Sequence, residues 1–190
     1  GYGKTEISKQ ISKSMDITLF RFDMSEYQER HTLTKLIGSP VGYSGYEQNP
    51  GTLITAIREN PNCVILLDEI EKGHPDIVTV MLQIMDNAMI TSSSGISVDC
   101  QGVVLIMTTN LDAESSSKNR IGFGESSKAV QSDVEFNKFF SPEFRNRLDA
   151  IITFSQLSKQ AIHDITVKFL DELSDKIEKL GAEFYYDDNV

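Results

Sequence analysis

Cysteine is scarce in this chain of 190 residues, and this limits the chemistry that the chain can perform. Cys63 and Cys100 lie far apart in sequence, and Cys63 begins an apolar run, so we expect buried free thiols rather than a disulfide. Cysteine and histidine form no cluster with the spacing of a metal site. These absences favour a reducing compartment, and we expect a cytoplasmic protein.

Basic residues are also few, and long apolar runs are missing. Lysine and arginine number 18 against 28 aspartates and glutamates, which gives a formal net charge of −10 with no basic block. We therefore expect no binding to nucleic acid and none to an anionic membrane. No apolar run approaches the length of a membrane span, and the start of the chain does not have the pattern of a signal peptide.

The chain does contain enough apolar residues for a core, 39% of the total, arranged in strand and helix patterns. Runs of β-forming residues predict four strands, at 18–22, 63–67, 103–108 and 151–154. Helical periodicity predicts three helices, at 53–59, 75–85 and 157–180, and Gly181 would end the last of them. Residues 91–102 are predicted to be an exposed loop and 112–133 a long polar loop. Strands alternating with helices predict an α/β fold with a parallel sheet.

The apolar run from Val64 to Leu67 ends in two adjacent carboxylates, Asp68 and Glu69. Two acids are costly in a core, but they suit a ligand crevice, because open α/β sheets bind ligands beyond the carboxyl ends of their strands. The first acid can hold Mg²⁺, directly or through water, and the second can polarise an attacking water molecule. The alternative is a strand that simply ends in a solvated turn.

The start of the chain matches the end of the phosphate-binding pattern G-x-x-x-x-G-K-[ST], with Gly1, Tyr2, Gly3, Lys4 and Thr5. Glycines let the backbone approach phosphate, Lys4 would reach the β- and γ-phosphates, and the Thr5 hydroxyl would ligate Mg²⁺. Ile7, Ile11 and Met15 recur at four-residue spacing and predict one face of a helix, whose N-terminus favours phosphate binding. Together with the acid pair, this pattern predicts hydrolysis of a nucleoside triphosphate.

The chain begins inside this phosphate loop, and the strand that normally precedes such a loop is missing from it. In P-loop folds that strand lies inside the sheet, so its loss would leave two neighbouring strands unpaired. We therefore expect the 190 residues to be a fragment of a longer protein.

Four longer motifs resemble the second ATPase module of the Clp family of AAA+ ATPases, above all its ClpA branch. They are Phe22–Tyr27, Leu66–Lys72, Met107–Asn110 and Pro142–Asp149. The resemblance implies a P-loop AAA+ domain at residues 1–155, without its first strand, followed at 156–190 by the start of a small helical lid domain. It also implies an unfoldase that uses ATP and Mg²⁺. Such a protein is a homo-hexamer that threads unfolded or tagged proteins, in some cases delivered by adaptor proteins, through a central pore.

The resemblance gives roles to residues that follow two of the strands. Asp68 resembles the Walker B aspartate that holds Mg²⁺, and Glu69 resembles the catalytic glutamate that activates water. Strand alternation is expected to send the two carboxylates in different directions, one to the metal and one to the attacking side. Asn110 resembles the sensor-1 residue, whose amide orients the water or contacts the γ-phosphate, and the alternative for it is a turn cap.

Arg147 resembles the arginine finger of the family, which reaches the ATP of a neighbouring subunit. Such a cation stabilises the charge on the phosphoryl oxygens and typically raises the rate by about 10³–10⁵. Arg145 is the competing choice, and Arg147 is preferred because it occupies the family's finger position. The alternative for Arg147 is a surface salt bridge with Glu143 or Asp149.

The resemblance also implies a substrate-binding pore loop, formed by Gly42, Tyr43, Ser44 and Gly45. An aromatic side chain between glycines can grip many sequences, because its contact is apolar and tolerant of shape. Ser44 stands where the family usually has an aliphatic residue, Tyr46 is a secondary candidate, and the alternative is a tyrosine in a surface turn. Residues 88–101 correspond to a second pore-facing segment, whose arginine-containing stretch is replaced here by residues 99–102.

Ile121, Gly122 and Phe123 form an apolar tripeptide within the long polar segment. They resemble the loop by which ClpA-type unfoldases dock on the ClpP peptidase, a loop that the ClpB branch lacks. The alternative for these three residues is a short local hydrophobic contact. The sequence therefore predicts an unfoldase that feeds ClpP. A ClpB-like disaggregase without a peptidase and a ring-assembly module that does not hydrolyse ATP are the alternatives.

Overall fold

A computed structural model describes residues 2–38, 51–92, 95–111, 135–154, 157–182 and 184, which fall into two compact units, 1–151 and 152–190. The helices are α1 (Tyr2–Met15), α2 (Arg30–Ile37), α3 (Thr52–Glu59), α4 (Asp76–Asn87), α5 (Pro142–Arg145) and α6 (Lys159–Glu178). The strands are β1 (Thr18–Asp23), β2 (Cys63–Asp68), β3 (Met89–Thr91), β4 (Ser97–Asp99) and β5 (Val103–Met107). The predicted pore loop, the predicted docking loop and Gly1 lie outside the described residues.

Three parallel strands form the main sheet in the order β1-β2-β5, which confirms the predicted α/β fold with a parallel sheet. All six residues of β2 are buried, as expected for the middle strand of a parallel sheet covered on both faces. The register pairs Asp23 with Asp68 and Leu67 with Met107. The carboxyl ends of the three strands therefore lie side by side, and the residues that follow them meet at one edge.

Helix α1 packs against β1 and β2, but its buried face differs from the predicted one. Ser8 is fully buried, Ile7 and Ile11 are half-buried, and Met15 is 54% exposed. The prediction that Met15 shares the apolar face is wrong, because a step of four residues overshoots one helical turn by about 40°. Two such steps carry Met15 away from the face that begins at Ile7.

Helix α4 follows Pro75, and its apolar face is the predicted one. Ile77, Met81 and Ile84 are buried, and the half-buried Val80 and Met85 pack against the same core. This core also contains α3, β2 and an aromatic cluster that includes Phe140 and Phe144, whose stacked rings lie 4.8 Å apart.

Within the segment 91–102, predicted to be an exposed loop, Thr91 and Ser97–Asp99 belong to an antiparallel pair of strands. Strand β3 pairs with β4, and the opposed side chains of Ile90 and Val98 are buried. The turn that follows β4 then passes close to residues 61 and 62, because a Cβ on Gly102 would lie 2.6 Å from the carbonyl oxygen of Pro61. The prediction failed because the pairing of short strands depends on distant contacts rather than on a Ser/Gly-rich composition.

The strand predicted at 151–154 is also absent from the described residues. Ile151, Ile152 and Phe154 are exposed there and belong to no ladder. A strand requires a partner for its backbone hydrogen-bonding groups. This segment has the composition of a strand, but the described residues place no neighbouring strand beside it.

The predicted helix at 157–180 is confirmed as α6, which Ser158 caps by accepting a hydrogen bond from the amide of Ala161. Its end is a Schellman arrangement, in which Gly181 has a φ of 80° and its amide bonds the Glu178 carbonyl, while that of Ala182 bonds the Ile177 carbonyl. Gly181 therefore ends the helix as predicted. Within the part of the chain that the structure describes, none of the helices combines the length and apolarity needed to cross a membrane.

Gly51 and Gly95 offer a matched pair for testing how tightly α2 and α3 meet. Both have positive φ angles, 98° and 86°. A Cβ at Gly51 would lie 2.5 Å from the amide nitrogen of Gly38 and nearer still to the carbonyl oxygen of Leu36, whereas a Cβ at Gly95 would meet nothing within 4 Å.

We predict that Gly95→Ala lowers the free energy of unfolding by about 1 kcal/mol, through backbone strain alone. Gly51→Ala is predicted to lower it by about 3 kcal/mol or more, because the steric clash adds to the same strain. Urea unfolding followed by circular dichroism measures both values. Equal losses for the two variants would contradict the close approach at Gly51.

Candidate active site

Asp68 ends β2 as a nearly buried residue, at 6% exposure, and its carboxylate is surrounded by donors. Its Oδ1 accepts a hydrogen bond from the Thr108 hydroxyl at 2.5 Å. Its Oδ2 accepts from Nε of Arg21 at 2.9 Å, lies 2.7 Å from an Nη of the same guanidinium, and accepts from the Thr5 hydroxyl at 3.3 Å. A buried carboxylate is tolerated only with such partners. The solvated-turn alternative is therefore excluded for this residue.

Asp23 stands beside Asp68 in the register of the sheet. The hydroxyl of Ser25 donates to its carboxylate at 2.6 Å and holds the pKa of this carboxyl below its usual value, with smaller contributions from Arg21 and Lys72. These contacts favour the charged form of the Asp23 carboxylate at this edge of the sheet.

Glu69 directly follows β2 in a left-handed backbone conformation, with φ 57° and ψ 56°. Its Oε1 accepts from the side-chain nitrogen of Asn110 at 2.7 Å, and its Oε2 accepts from Lys72 at 2.6 Å. This ion pair raises the pKa of Lys72. Asp68 and Glu69 thus have different hydrogen-bond partners, and the backbone at Glu69 is left-handed rather than extended.

Lys4 and Asn110 connect the start of α1 with the residues after β5. The ammonium group of Lys4 donates to the backbone oxygen of Thr109 and, at 2.8 Å, to the side-chain oxygen of Asn110. Since the nitrogen of the same amide donates to Glu69, Asn110 links Lys4 to Glu69 through one rigid group. The backbone amide of Asn110 in turn donates to Oε1 of Glu71 at 2.9 Å.

The structure therefore brings together most of the predicted site residues of the described chain: Lys4, Thr5, Asp68, Glu69 and Asn110. Tyr2 and Gly3 lie beside them in the first turn of α1. The roles assigned to these residues stay predictions.

Arg147 makes its contacts elsewhere, with acids of its own chain. Its Nε donates to Oδ1 of Asp86 on α4, one Nη lies 3.3 Å from the Glu143 carboxylate, and another donates to the Glu143 carbonyl oxygen at 3.0 Å. The salt bridge with Glu143 that was the alternative to the finger therefore exists in the single chain. Arg145, the competing choice, donates to the side chain of Asn137.

Three residues of this group were missed by the sequence interpretation. Arg21 is the one cation of β1 and lies between Phe20 and Phe22, and that position was the available signal for a buried acid nearby. Thr108 is the first residue after β5, so its place beside Asp68 follows only once the parallel register is known. Lys72 lies three residues after Glu69, a spacing that allows an ion pair on a turn of helix.

The residues present fit a magnesium ion bound together with nucleotide. Among the residues described, no group of three or more His, Cys, Asp and Glu could hold a metal by itself. Mg²⁺ in nucleotide sites, however, takes only one or two carboxylates, with phosphates and water completing its shell. The Asp68 carboxylate and the Thr5 hydroxyl, 3.3 Å apart, offer oxygens of the required kind.

Comparison with known proteins agrees with this geometry. The model of the family described as AAA domain (Cdc48 subfamily) matches residues 1–151. A ClpA homolog protein of Fuscovulum blasticum is 44% identical over 173 residues, covering 91% of this chain and 22% of the relative. The ClpE subunit and the chaperone ClpB of Lactococcus lactis subsp. lactis are 43% and 38% identical, covering 93% and 100% of this chain.

Solved structures give the same result. A Saccharomyces cerevisiae Hsp104:casein complex in an extended conformation is similar with a TM-score of 0.78 and 37% identity, over 94% of this chain and 31% of that one. The chain spans about a quarter of the length of the curated relatives, for example 24% of ClpE. The predicted Clp resemblance is confirmed, and the chain belongs to the AAA domain family of the Cdc48 subfamily, a family of P-loop ATPases.

Proposed function

We propose that this chain binds and hydrolyses ATP and that the protein that carries it uses the energy to unfold other proteins. The observation that carries the proposal is the bonded group at the carboxyl edge of the sheet, where Lys4 contacts Asn110, Asn110 contacts Glu69, and Thr5 contacts Asp68. Relatives named as Clp ATPases and chaperones support the coupling to protein unfolding.

Lys4 and the first turn of α1 would bind the phosphates of ATP. The first backbone amides of a helix have no partner within the helix, and with the helix dipole they favour an anion there. Lys4 would exchange its contacts with Thr109 and Asn110 for phosphate oxygens. Asp68 and Thr5 would hold Mg²⁺, which neutralises charge on the phosphate oxygens when it is bound.

Glu69 would act as the base for the attacking water. The water oxygen bonds to the γ-phosphorus while the bond from that phosphorus to its bridging oxygen breaks, so ADP leaves and inorganic phosphate forms. Glu69 accepts the proton that the water loses. Asn110 and Lys72 each donate to one oxygen of this carboxylate, and each oxygen keeps a second lone pair that could accept from the water.

Exchange of Glu69 for glutamine tests this assignment. We predict that Glu69→Gln lowers kcat for ATP hydrolysis by at least about 10²-fold, because the amide cannot accept the proton, and leaves ATP affinity within a few-fold. Steady-state turnover and nucleotide binding measure the two effects in the full-length protein. Glu59→Gln, at an exposed position in α3, is the matched control and should change neither. Unchanged turnover in Glu69→Gln would favour the ring-assembly module.

Arg147 is proposed as a finger that acts on the ATP of the next subunit in a homo-hexamer. Within one chain Asp86 and Glu143 hold its guanidinium, so a neighbouring phosphate would have to compete with these two acids. Closed rings present the same surface to each neighbour, which suits a residue that completes the adjacent site.

We predict that Arg147→Ala lowers kcat by about 10³-fold or more in the assembled protein, and that Arg145→Ala lowers it much less. Mixed rings give a sharper result, because a Glu69→Gln subunit still carries a finger and an Arg147→Ala subunit still carries a base. Rings assembled from both inactive proteins should regain measurable turnover. A mixture no more active than its components would contradict action between subunits, and a larger loss in Arg145→Ala would move the finger there.

We further propose that the protein delivers its substrates to the ClpP peptidase. The apolar tripeptide Ile121, Gly122 and Phe123 within a polar stretch supports this partner, as does the name of the ClpE relative, an ATP-binding subunit of Clp protease. Gly42, Tyr43, Ser44 and Gly45 would contact the substrate protein in the pore. Residues 156–190 would begin the helical lid domain.

The second candidate function is a disaggregase without a peptidase. ClpB relatives support it, since the one from Mycoplasma genitalium is 41% identical over the whole of this chain. The structural similarity to Hsp104 in complex with casein supports a protein as the substrate.

Both cysteines support a reducing, cytoplasmic location. Cys63 and Cys100 are buried and free, and burial raises the pKa of both thiols, that of Cys100 to about 11.

The docking loop separates the two candidates. We predict that Phe123→Ala abolishes degradation of a tagged protein by the full-length protein with ClpP, because the apolar contact is lost, while ATPase activity stays unchanged. Degradation and ATPase assays measure this, with Ser126→Ala as a control in the same segment. Unchanged degradation would remove the docking role from this loop. Absence of degradation in the unmodified protein, with ATPase intact, would favour the disaggregase.

A further inference from the structure

We propose that the hydroxyl group of Thr108 sets the positions of both catalytic acids, Asp68 and Glu69, and that Thr108 is therefore a positioning residue for ATP hydrolysis. The inference rests on the proposed function, because it gives a role in ATP hydrolysis to a residue that would contact neither ATP nor the attacking water. Four observations carry it: the two bonds of the hydroxyl, its burial, its anchoring in the sheet and the strained backbone of Glu69.

The Thr108 hydroxyl bonds to both acids at once. It donates to Oδ1 of Asp68 at 2.5 Å and accepts from the backbone amide of Glu69 at 3.0 Å. A hydroxyl has a single donor hydrogen, so the whole donor capacity of Thr108 is directed at Asp68. With Thr108 only 7% exposed and Asp68 6% exposed, water has little access to replace either bond.

The backbone of Thr108 fixes where this hydroxyl lies. Its amide donates to the Leu67 carbonyl at 3.0 Å, and its carbonyl accepts from the Ile70 amide at 2.9 Å. Thr108 thus continues the ladder between β2 and β5 past the last paired residues, Leu67 and Met107. Such an anchor on a strand holds a side chain more firmly than a loop does.

Glu69 depends on the same hydroxyl for its backbone conformation. A left-handed backbone is unfavourable for a residue with a Cβ, and it persists when the surroundings over-determine it. The bond from the Glu69 amide to Thr108 and the bond from the Ile70 amide to the Thr108 carbonyl hold the two peptide groups of this turn. This backbone conformation directs the Glu69 carboxylate toward the side-chain amide of Asn110.

Without Thr108, Oδ1 of Asp68 would lose the hydrogen bond that now holds it. Its other oxygen, Oδ2, is held by Arg21 and Thr5, and the Arg21 side chain is 52% exposed. Loss of the donor at Oδ1 would leave that oxygen buried without the partner it now has, and rotation of the carboxylate toward the guanidinium would relieve this. Both the metal-binding acid and the base would then be displaced from their present positions.

The test compares two exchanges at one position in the full-length protein. Thr108→Val keeps the shape of the side chain and removes the hydroxyl, whereas Thr108→Ser keeps the hydroxyl. We predict that the valine variant loses about 10- to 100-fold in kcat, with KM for ATP changed less than about threefold, because small displacements of catalytic groups are costly. The serine variant is expected to retain kcat within about threefold, since it keeps both hydrogen bonds.

A second readout does not depend on turnover. The Mg²⁺ concentration that gives half-maximal binding of a fluorescent ATP analogue is expected to rise several-fold in Thr108→Val and to stay unchanged in Thr108→Ser. Thr79→Val, the same exchange at an exposed position of α4, should match the unmodified protein in every assay. If the valine variant fails to fold, as thermal melting would show, Thr108→Cys replaces it, with a thiol of similar size that is a weak donor.

The outcomes separate this inference from the function on which it rests. Normal kcat and normal Mg²⁺ dependence in Thr108→Val, with Glu69→Gln inactive, would overturn the role of Thr108 and leave the ATPase proposal standing. Equal losses in the valine and serine variants would also overturn it, because the hydroxyl would not be the cause. Full turnover in Glu69→Gln would instead overturn the proposed function.

Discussion

The carboxylate of Asp68, nearly buried at the end of the middle strand, is the group on which the rest of this structure depends. A charge in that position is stable only when donors surround it. The donors come from three separate elements, with Thr5 on α1, Arg21 on β1 and Thr108 after β5. The packing of a helix and two strands around β2 is therefore tied to the group that the proposed chemistry uses, so fold and site are specified together.

The fold could be predicted where short-range patterns determine it. The apolar run that ends at Asp68 and the helix that ends at Gly181 follow from periodicity and turn chemistry, which act over a few residues. Features that depend on distant contacts could not be predicted in this way. Strands β3 and β4 pair because Ile90 and Val98 share one buried face, and the segment 151–154 stays unpaired because the described residues place no strand beside it.

The same distinction between short-range patterns and distant contacts applies to the candidate site. Lys4, Thr5 and the acid pair were predictable because phosphate and metal chemistry requires those residue types at fixed spacing. Two of the donors that hold the acids were missed because they are remote in sequence: Arg21 precedes Asp68 by 47 positions, and Thr108 follows Glu69 by 39. The partner of Arg147 is equally remote, because Asp86 lies 61 residues before it. Prediction from sequence therefore identifies the reacting groups before it identifies what holds them.

The two buried thiols give this chain a practical property. A thiol reacts with alkylating reagents as its thiolate, and burial keeps both Cys63 and Cys100 protonated and shielded at neutral pH. A cysteine introduced at an exposed position would consequently react first, without any need to remove the native ones. Pairs of spectroscopic probes could therefore be attached to introduced cysteines, and the distance between them could be followed during nucleotide turnover.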